Sequence, residues 1–198
     1  IKISNTIGML NLEAVGAGEE WCMKKAWKTN THLERILRKA MLSTGVKFNE
    51  LEFFEGYIND EKVYAWPSID IQGVAIQRFP FPEYHTAEDT PELIEDNLML
   101  EALDFSNAFV NIIEHDFIPE YTKKLPPWLT RRGLYFDFKF SAEDHNKFNN
   151  DLLYLIDGSR TISELAEIIN LDFDIVYKYI MVLSDSGLIK MNQIIWDD

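Results

Sequence analysis

Hydrophobic and polar positions divide the chain into stretches of different period. Residues 7–15 (Ile7-Gly8-Met9-Leu10-Asn11-Leu12-Glu13-Ala14-Val15) are nearly continuous in apolar character, with one acidic residue late in the run. Such a run predicts a parallel strand buried on both faces. Gly16-Ala17-Gly18 breaks it, and Glu19-Glu20 follow at once. Leu33, Ile36, Leu37, Ala40 and Met41 recur at helical spacing, which predicts a helix over 31–43, stopped by Gly45. Phe53-Phe54 and Val63-Tyr64-Ala65-Trp66 read as short strand or loop pieces. Residues 69–77 read as a second buried strand, with Gly73 its weak point. A proline-rich loop through Phe79-Pro80-Phe81-Pro82 leads to Thr90-Pro91-Glu92, which has the signature of a helix start. That helix is expected to run to about Asp116, with Leu93, Ile94, Leu98, Ala102, Phe105, Phe109, Ile112 and Ile113 on its apolar face.

The rest of the chain reads as a separate unit. Residues 119–140 contain Pro119, Pro126-Pro127 and the basic pair Arg131-Arg132, and read as a linker. Ser141 or Asp144 opens a helix through Phe148, Leu152, Leu153 and Ile156, and Asp157-Gly158 turns the chain. Thr161 and Glu164 are spaced as a capping box for a short helix over 165–169. A third helix starts at Asp172 or Phe173, carries Val176, Ile180 and Leu183, and closes at Gly187. The tail from Leu188 to Trp196 reads as a hairpin. Three helices followed by a β-ribbon predict a winged helix-turn-helix. The expected layout is therefore an α/β domain over 1–118, a linker over 119–140 and a winged-helix domain over 141–198.

Composition narrows the function. At 46% hydrophobic and 26% charged, the chain can bury a core and is not a disordered one. Acidic residues number 33 against 19 basic, for a net charge of −14, which argues against non-specific binding to nucleic acid or to an anionic membrane. A single cysteine, Cys22, excludes an internal disulfide framework. No apolar run reaches membrane-spanning length and no signal-peptide pattern opens the chain, so a cytoplasmic protein is expected. The first residue is Ile1, which suggests a sequence beginning after processing or within a longer one.

The sharpest candidate chemistry lies in residues 83–92, Glu83-Tyr84-His85-Thr86-Ala87-Glu88-Asp89-Thr90-Pro91-Glu92. His85 follows a predicted strand and precedes a predicted helix, the place where open α/β sheets put their sites. Neutral imidazole is the commonest protein metal ligand, and Glu83, Glu88 and Asp89 are near enough in sequence to orient it.

The string Tyr84-His85-Thr86-x-x-Asp89-Thr90-Pro91-Glu92 resembles the closing motif of the bacterial leucyl-aminopeptidase-like zinc exopeptidases. Residues 60–70, from Asp60-Glu61-Lys62 to Ile69-Asp70, together with Pro82-Glu83-Tyr84-His85-Thr86, resemble more closely an aminopeptidase-like subgroup with a winged helix after the peptidase fold. The resemblance runs over roughly 7–198 and is most specific at 60–92. It implies an α/β fold that is the C-terminal part of a mixed sheet flanked by helices, and zinc as the cofactor. It further implies that His85 is a zinc ligand and that Glu13 occupies the position of the aspartate in an Asn-Leu-Asp segment that binds the second zinc. Glu19 or Glu20 in the following loop is the alternative to Glu13. The family's His-x-Asp segment, bridging aspartate and Glu-Glu pair precede that strand, so no catalytic residue is expected in this chain, and alone it is expected to be inactive.

The implied substrate is a peptide or another amide, cleaved by metal-activated water. Among the aromatic residues, Tyr84 and Trp66 flank the suspected site and are the better candidates to contact substrate, and Arg78 is a candidate for a substrate carboxylate. The winged helix invites DNA binding, but residues 141–198 hold four basic residues against eleven acidic, a net of −7, with Asp172 and Asp174 at the start of the third helix. No nucleic-acid or membrane partner is therefore expected. Ile195 and Trp196 suit contact with another protein surface, and a second copy of the chain is a candidate partner. The rival reading is a non-catalytic relative that regulates or binds protein through the acidic winged helix.

Overall fold

The structure, a computed structural model, describes residues 6–124, 126, 129, 134 and 151–194. It divides into two compact units, one up to Ile113 and one from Glu114 on.

The first unit is a mixed α/β fold. Its strands are β1 (Met9–Glu13), β2 (Glu20–Lys24), β3 (Asn49–Leu51) and β4 (Gly73–Phe79), in the order β1-β4-β2-β3. β1 runs parallel to β4, β2 antiparallel to β4, and β3 parallel to β2. Helix α1 (His32–Ser43) forms as the spacing predicts: the Thr31 hydroxyl accepts from the Glu34 amide, and Gly45 takes a left-handed φ of +76° just beyond the end. Leu33, Ile36, Leu37, Ala40 and Met41 are its buried stripe. Helix α3 (Asp96–His115) buries Leu98, Ala102, Phe105, Phe109 and Ile112.

Several expectations are corrected. β1 is parallel, but it has one neighbouring strand among the described residues and is half-buried. Its five residues alternate, Leu10 and Leu12 against Asn11 and Glu13, as a strand with unlike faces does. β2 and β3 were not expected. The apolar core of β2 is only Trp21-Cys22-Met23, flanked by charge, and β3 is three residues long. Residues 61–64 form a short helix, α2 (Glu61–Tyr64), where a strand or loop piece was expected over 63–66. β4 starts at Gly73, four residues late, because Asp70 turns at φ +53° and its carboxylate meets the Lys28 ammonium at 2.7 Å. Thr90-Pro91 opens a single 3-10 turn over Pro91–Leu93 without a side-chain cap, and α3 begins only at Asp96.

The second unit contains β5 (Ile118–Tyr121), α4 (Leu153–Leu155), α5 (Ile162–Ile168), α6 (Phe173–Asp185) and β6 (Ile189–Asn192). The Thr161–Glu164 capping box is present at α5. Asp116 adds a second anchor to the same helix end, accepting from the Ser163 amide at 2.9 Å. Leu152, Ile162, Leu165, Val176, Ile180 and Leu183 form the core. Among the described residues β6 pairs antiparallel with β5, so Pro119 lies in a strand at the start of the segment read as linker. The basic pair Arg131-Arg132, the helix start at 141–150 and the apolar pair Ile195-Trp196 lie outside the described residues. Among the described residues no helix is long and apolar enough to cross a membrane.

The capping box carries a direct test. Thr161→Ala should lower stability by about 1 kcal/mol, read as a fall in the urea midpoint with an unchanged m-value.

Candidate functional site

Strand register sorts the polar residues onto one face of the sheet. Residues paired across neighbouring strands point the same way, and Asn11 is registered with Ala75, Ala75 with Lys24, and Glu13 with Gln77. Asn11, Glu13, Lys24 and Gln77 therefore share a face. The opposite face carries Leu10, Leu12, Trp21, Met23, Val74 and Ile76, and there Trp21 meets Phe105 of α3 edge-on at 5.0 Å.

The polar face is closed by one buried network. The Lys24 ammonium lies 2.6 Å from a Glu61 carboxylate oxygen, and both side chains are 1% exposed. Lys24 also donates to the Tyr57 carbonyl at 2.5 Å. The other Glu61 oxygen accepts from the Asn11 side-chain amide at 3.2 Å, and the Asn59 backbone amide donates to both at 3.1 Å. Asn59 then donates through Nδ2 to the Glu13 carboxylate. Burial alone would raise the Glu61 pKa, but the bonds from Lys24 and Asn59 outweigh it and hold the carboxyl below its ordinary range.

Glu13 is held differently. Burial pushes its pKa up, and the negative Glu61 adds to that. A hydrogen bond from the Tyr84 hydroxyl, and the nearby His85 and Lys24, oppose the rise without cancelling it. The Tyr84 phenol is in turn pushed up by burial and by Glu13. The Tyr84 ring stacks on His85 at 3.9 Å between centroids and meets Tyr57 at 4.2 Å with the planes tilted by 38°. Tyr57 is fixed by its hydroxyl, which accepts from the Phe81 amide at 2.8 Å. His85 itself is exposed, at a left-handed φ of +62°, and Ala14, next to Glu13, sits at +50°. Such backbone is uncommon for residues with a Cβ, and it clusters at functional sites.

Glu13, Tyr84 and His85 are thus brought together at the carboxyl ends of β1 and β4. Glu13 is the acidic residue in this group, while Glu19 is exposed in the loop before β2. The other two candidates lie elsewhere. Arg78 points to the opposite face from Gln77 and Glu13, where its guanidinium donates to the Gly18 carbonyl at 2.8 and 3.0 Å and packs over the Trp21 ring at 5.0 Å. Trp66 lines a separate apolar cavity with Trp27, Phe53, Phe54 and Val63. Sequence reasoning missed Lys24, Tyr57, Asn59 and Glu61. A lysine directly after the apolar Trp21-Cys22-Met23 was the available signal for the first of these. Among the described residues no group of three or more His, Cys, Asp and Glu is arranged to hold a metal.

The network predicts a stability signature. Lys24→Met leaves the Glu61 carboxylate buried without its partner and should cost about 3–5 kcal/mol in urea unfolding. Because the folded-state pKa of Glu61 lies below its ordinary 4.5, the contribution is complete above that value and is lost as pH falls through the lower folded value. Glu61→Gln should remove this acid-limb loss.

Residues 119–191 match the family described as winged helix-turn-helix. No curated protein matches the chain. Among solved structures the chain is similar to the crystal structure of a "putative peptidase" from Clostridium acetobutylicum, at 19% sequence identity and a TM-score of 0.79. The similarity covers 96% of this chain but 43% of that one, and at this identity it concerns the fold. Residues 2–116, more than half of the 198, match the family described as "Domain of unknown function (DUF4910)", and the chain belongs to that family.

Proposed function

We propose that this chain is part of a zinc-dependent, aminopeptidase-like hydrolase that cleaves a peptide or amide bond. The observation that carries the reading is the meeting of Glu13 with Tyr84-His85 at the carboxyl ends of two adjacent parallel strands. A neighbour of similar fold described as a peptidase supports the reaction class.

Glu13 and His85 would hold the metal, since a carboxylate oxygen and an imidazole nitrogen are both ordinary zinc donors. A zinc centre uses about three or four donors, so this reading takes the rest from outside the described residues. Bound zinc supplies Lewis-acid polarisation of the scissile carbonyl and lowers the pKa of a water. The chain's own groups do the positioning. Asn59 and Tyr84 donate to the Glu13 carboxylate and restrict its orientation. The burial that makes Glu13 hold its proton more tightly equally favours a cation beside it. Tyr84, stacked on His85, limits where the imidazole can turn.

His85→Ala in the intact protein should weaken zinc retention at least tenfold, because loss of a supporting partner alone costs about 10–100-fold. Metal analysis after dialysis against a graded chelator reads this directly, and unchanged zinc content would contradict the assignment. The 198-residue chain by itself should show no hydrolysis of aminoacyl substrates with added zinc.

The winged helix is proposed to contact protein rather than DNA. Phosphate contacts need Lys and Arg, whereas α6 opens with Asp172 and Asp174, and over the matched residues 119–191 nine basic residues stand against eleven acidic, a net of −2. A fluorescence titration against random duplex at low salt should show no binding in the micromolar range, and affinity of about 1 μM or tighter that weakens with added salt is the contrary result.

A further inference from the structure

A cavity of about 590 Å³ opens in the first unit, within the size range of small-molecule sites. One wall is aromatic: Trp27 packs against Phe53 at 5.7 Å and Phe54 at 5.5 Å, and these two meet at 4.9 Å, all edge-on. The braced rings form a stiff surface. Val63 and Trp66 also line the cavity. Trp27, Phe54, Val63 and Trp66 are each more than half exposed, an unusual concentration of large apolar side chains around one opening.

One charged residue lines the cavity, Lys62. The neighbouring cations are spent, Lys24 on Glu61 and Lys28 on Asp70. Lys62 makes no ion pair among the described residues. In a chain of net charge −14, an uncommitted ammonium on an apolar rim selects for an anion. The site is distinct from the Glu13–His85 pair. Trp27 follows β2, and the adjacent Lys28 amide donates to the Gln72 side chain just before β4, whereas His85 comes after the other end of β4.

We propose that this cavity binds a small amphiphilic acid, with an apolar body held by Trp66 and the Trp27–Phe54 wall and one anionic group on the Lys62 ammonium. Desolvation of the rings supplies the affinity, and the lysine sets the sign of the ligand's charge.

The test uses two probes with the same apolar body, 8-anilinonaphthalene-1-sulfonate and its neutral counterpart N-phenyl-1-naphthylamine, titrated into the intact protein and followed by probe emission. Saturable binding of the sulfonate is expected, at least about tenfold weaker in Trp66→Ala, which removes a ring contact. Lys62→Gln should weaken the sulfonate about threefold or more and leave the neutral probe unchanged. Both side chains are exposed, so both variants should keep the far-ultraviolet spectrum of the parent. Sulfonate binding unaffected by Trp66→Ala would overturn the site. Equal effects of Lys62→Gln on both probes would overturn the choice of an acid. A doubled mass in light scattering that Trp66→Ala abolishes would show a second copy as the occupant, and would also overturn it.

Discussion

The Lys24–Glu61 ion pair is the contact on which the first unit's polar face depends. Two charges at 1% exposure would each cost several kcal/mol to bury alone. Together, with Asn11, the Asn59 amide and the Tyr57 carbonyl taking the remaining bonds, they are tolerated. The pair ties β2 to the start of α2 and so draws the segment around Tyr57 and Asn59 over the sheet. Asn59 is then within reach of Glu13, and Tyr57 is placed against the Tyr84 ring. The orientation of the candidate donors follows from a contact that involves neither of them.

The two carboxylates of this network are pushed in opposite directions by one rule. Glu61 has a cation and amide donors in contact and is held ionised. Glu13 is half-buried, with Tyr84 and Asn59 as donors but without an ammonium bonded to it, and its pKa rises. Desolvation acts on both, and the presence of a bonded cation decides the sign. Left-handed backbone at Ala14 and His85 adds a conformational cost on both sides of the same place, consistent with residues held for their position rather than for stability.

Much of the architecture was legible where period was strong. α1, α3 and the capped α5 follow from apolar spacing and from Thr31, Gly45 and the Thr161–Glu164 box. Short strands were not: β2 hides between Glu20 and Lys24, and β3 spans three residues. Boundaries slipped where a side chain redirected the backbone, as Asp70 does before β4. For the candidate site, the meeting of Tyr84 with Glu13 and His85 was reachable through a motif and a strand end. Asn59 and Glu61 were not, because the buried ion pair joins residues 37 positions apart, and only its Lys24 end, directly after an apolar run, leaves a local signal. Arg78 and Trp66 were near in sequence to the motif, but strand alternation turned one to the opposite face and the loop carried the other to a separate cavity.

The central claim, that Glu13 and His85 share a metal ion, is tested most directly by a crystal structure of the intact protein with anomalous data collected on both sides of the zinc edge. The account predicts an edge-dependent peak in contact with the Glu13 carboxylate and the His85 imidazole, at about 2.0–2.2 Å from each. Zinc-replete crystals with the peak elsewhere, and these two side chains unliganded, would contradict it.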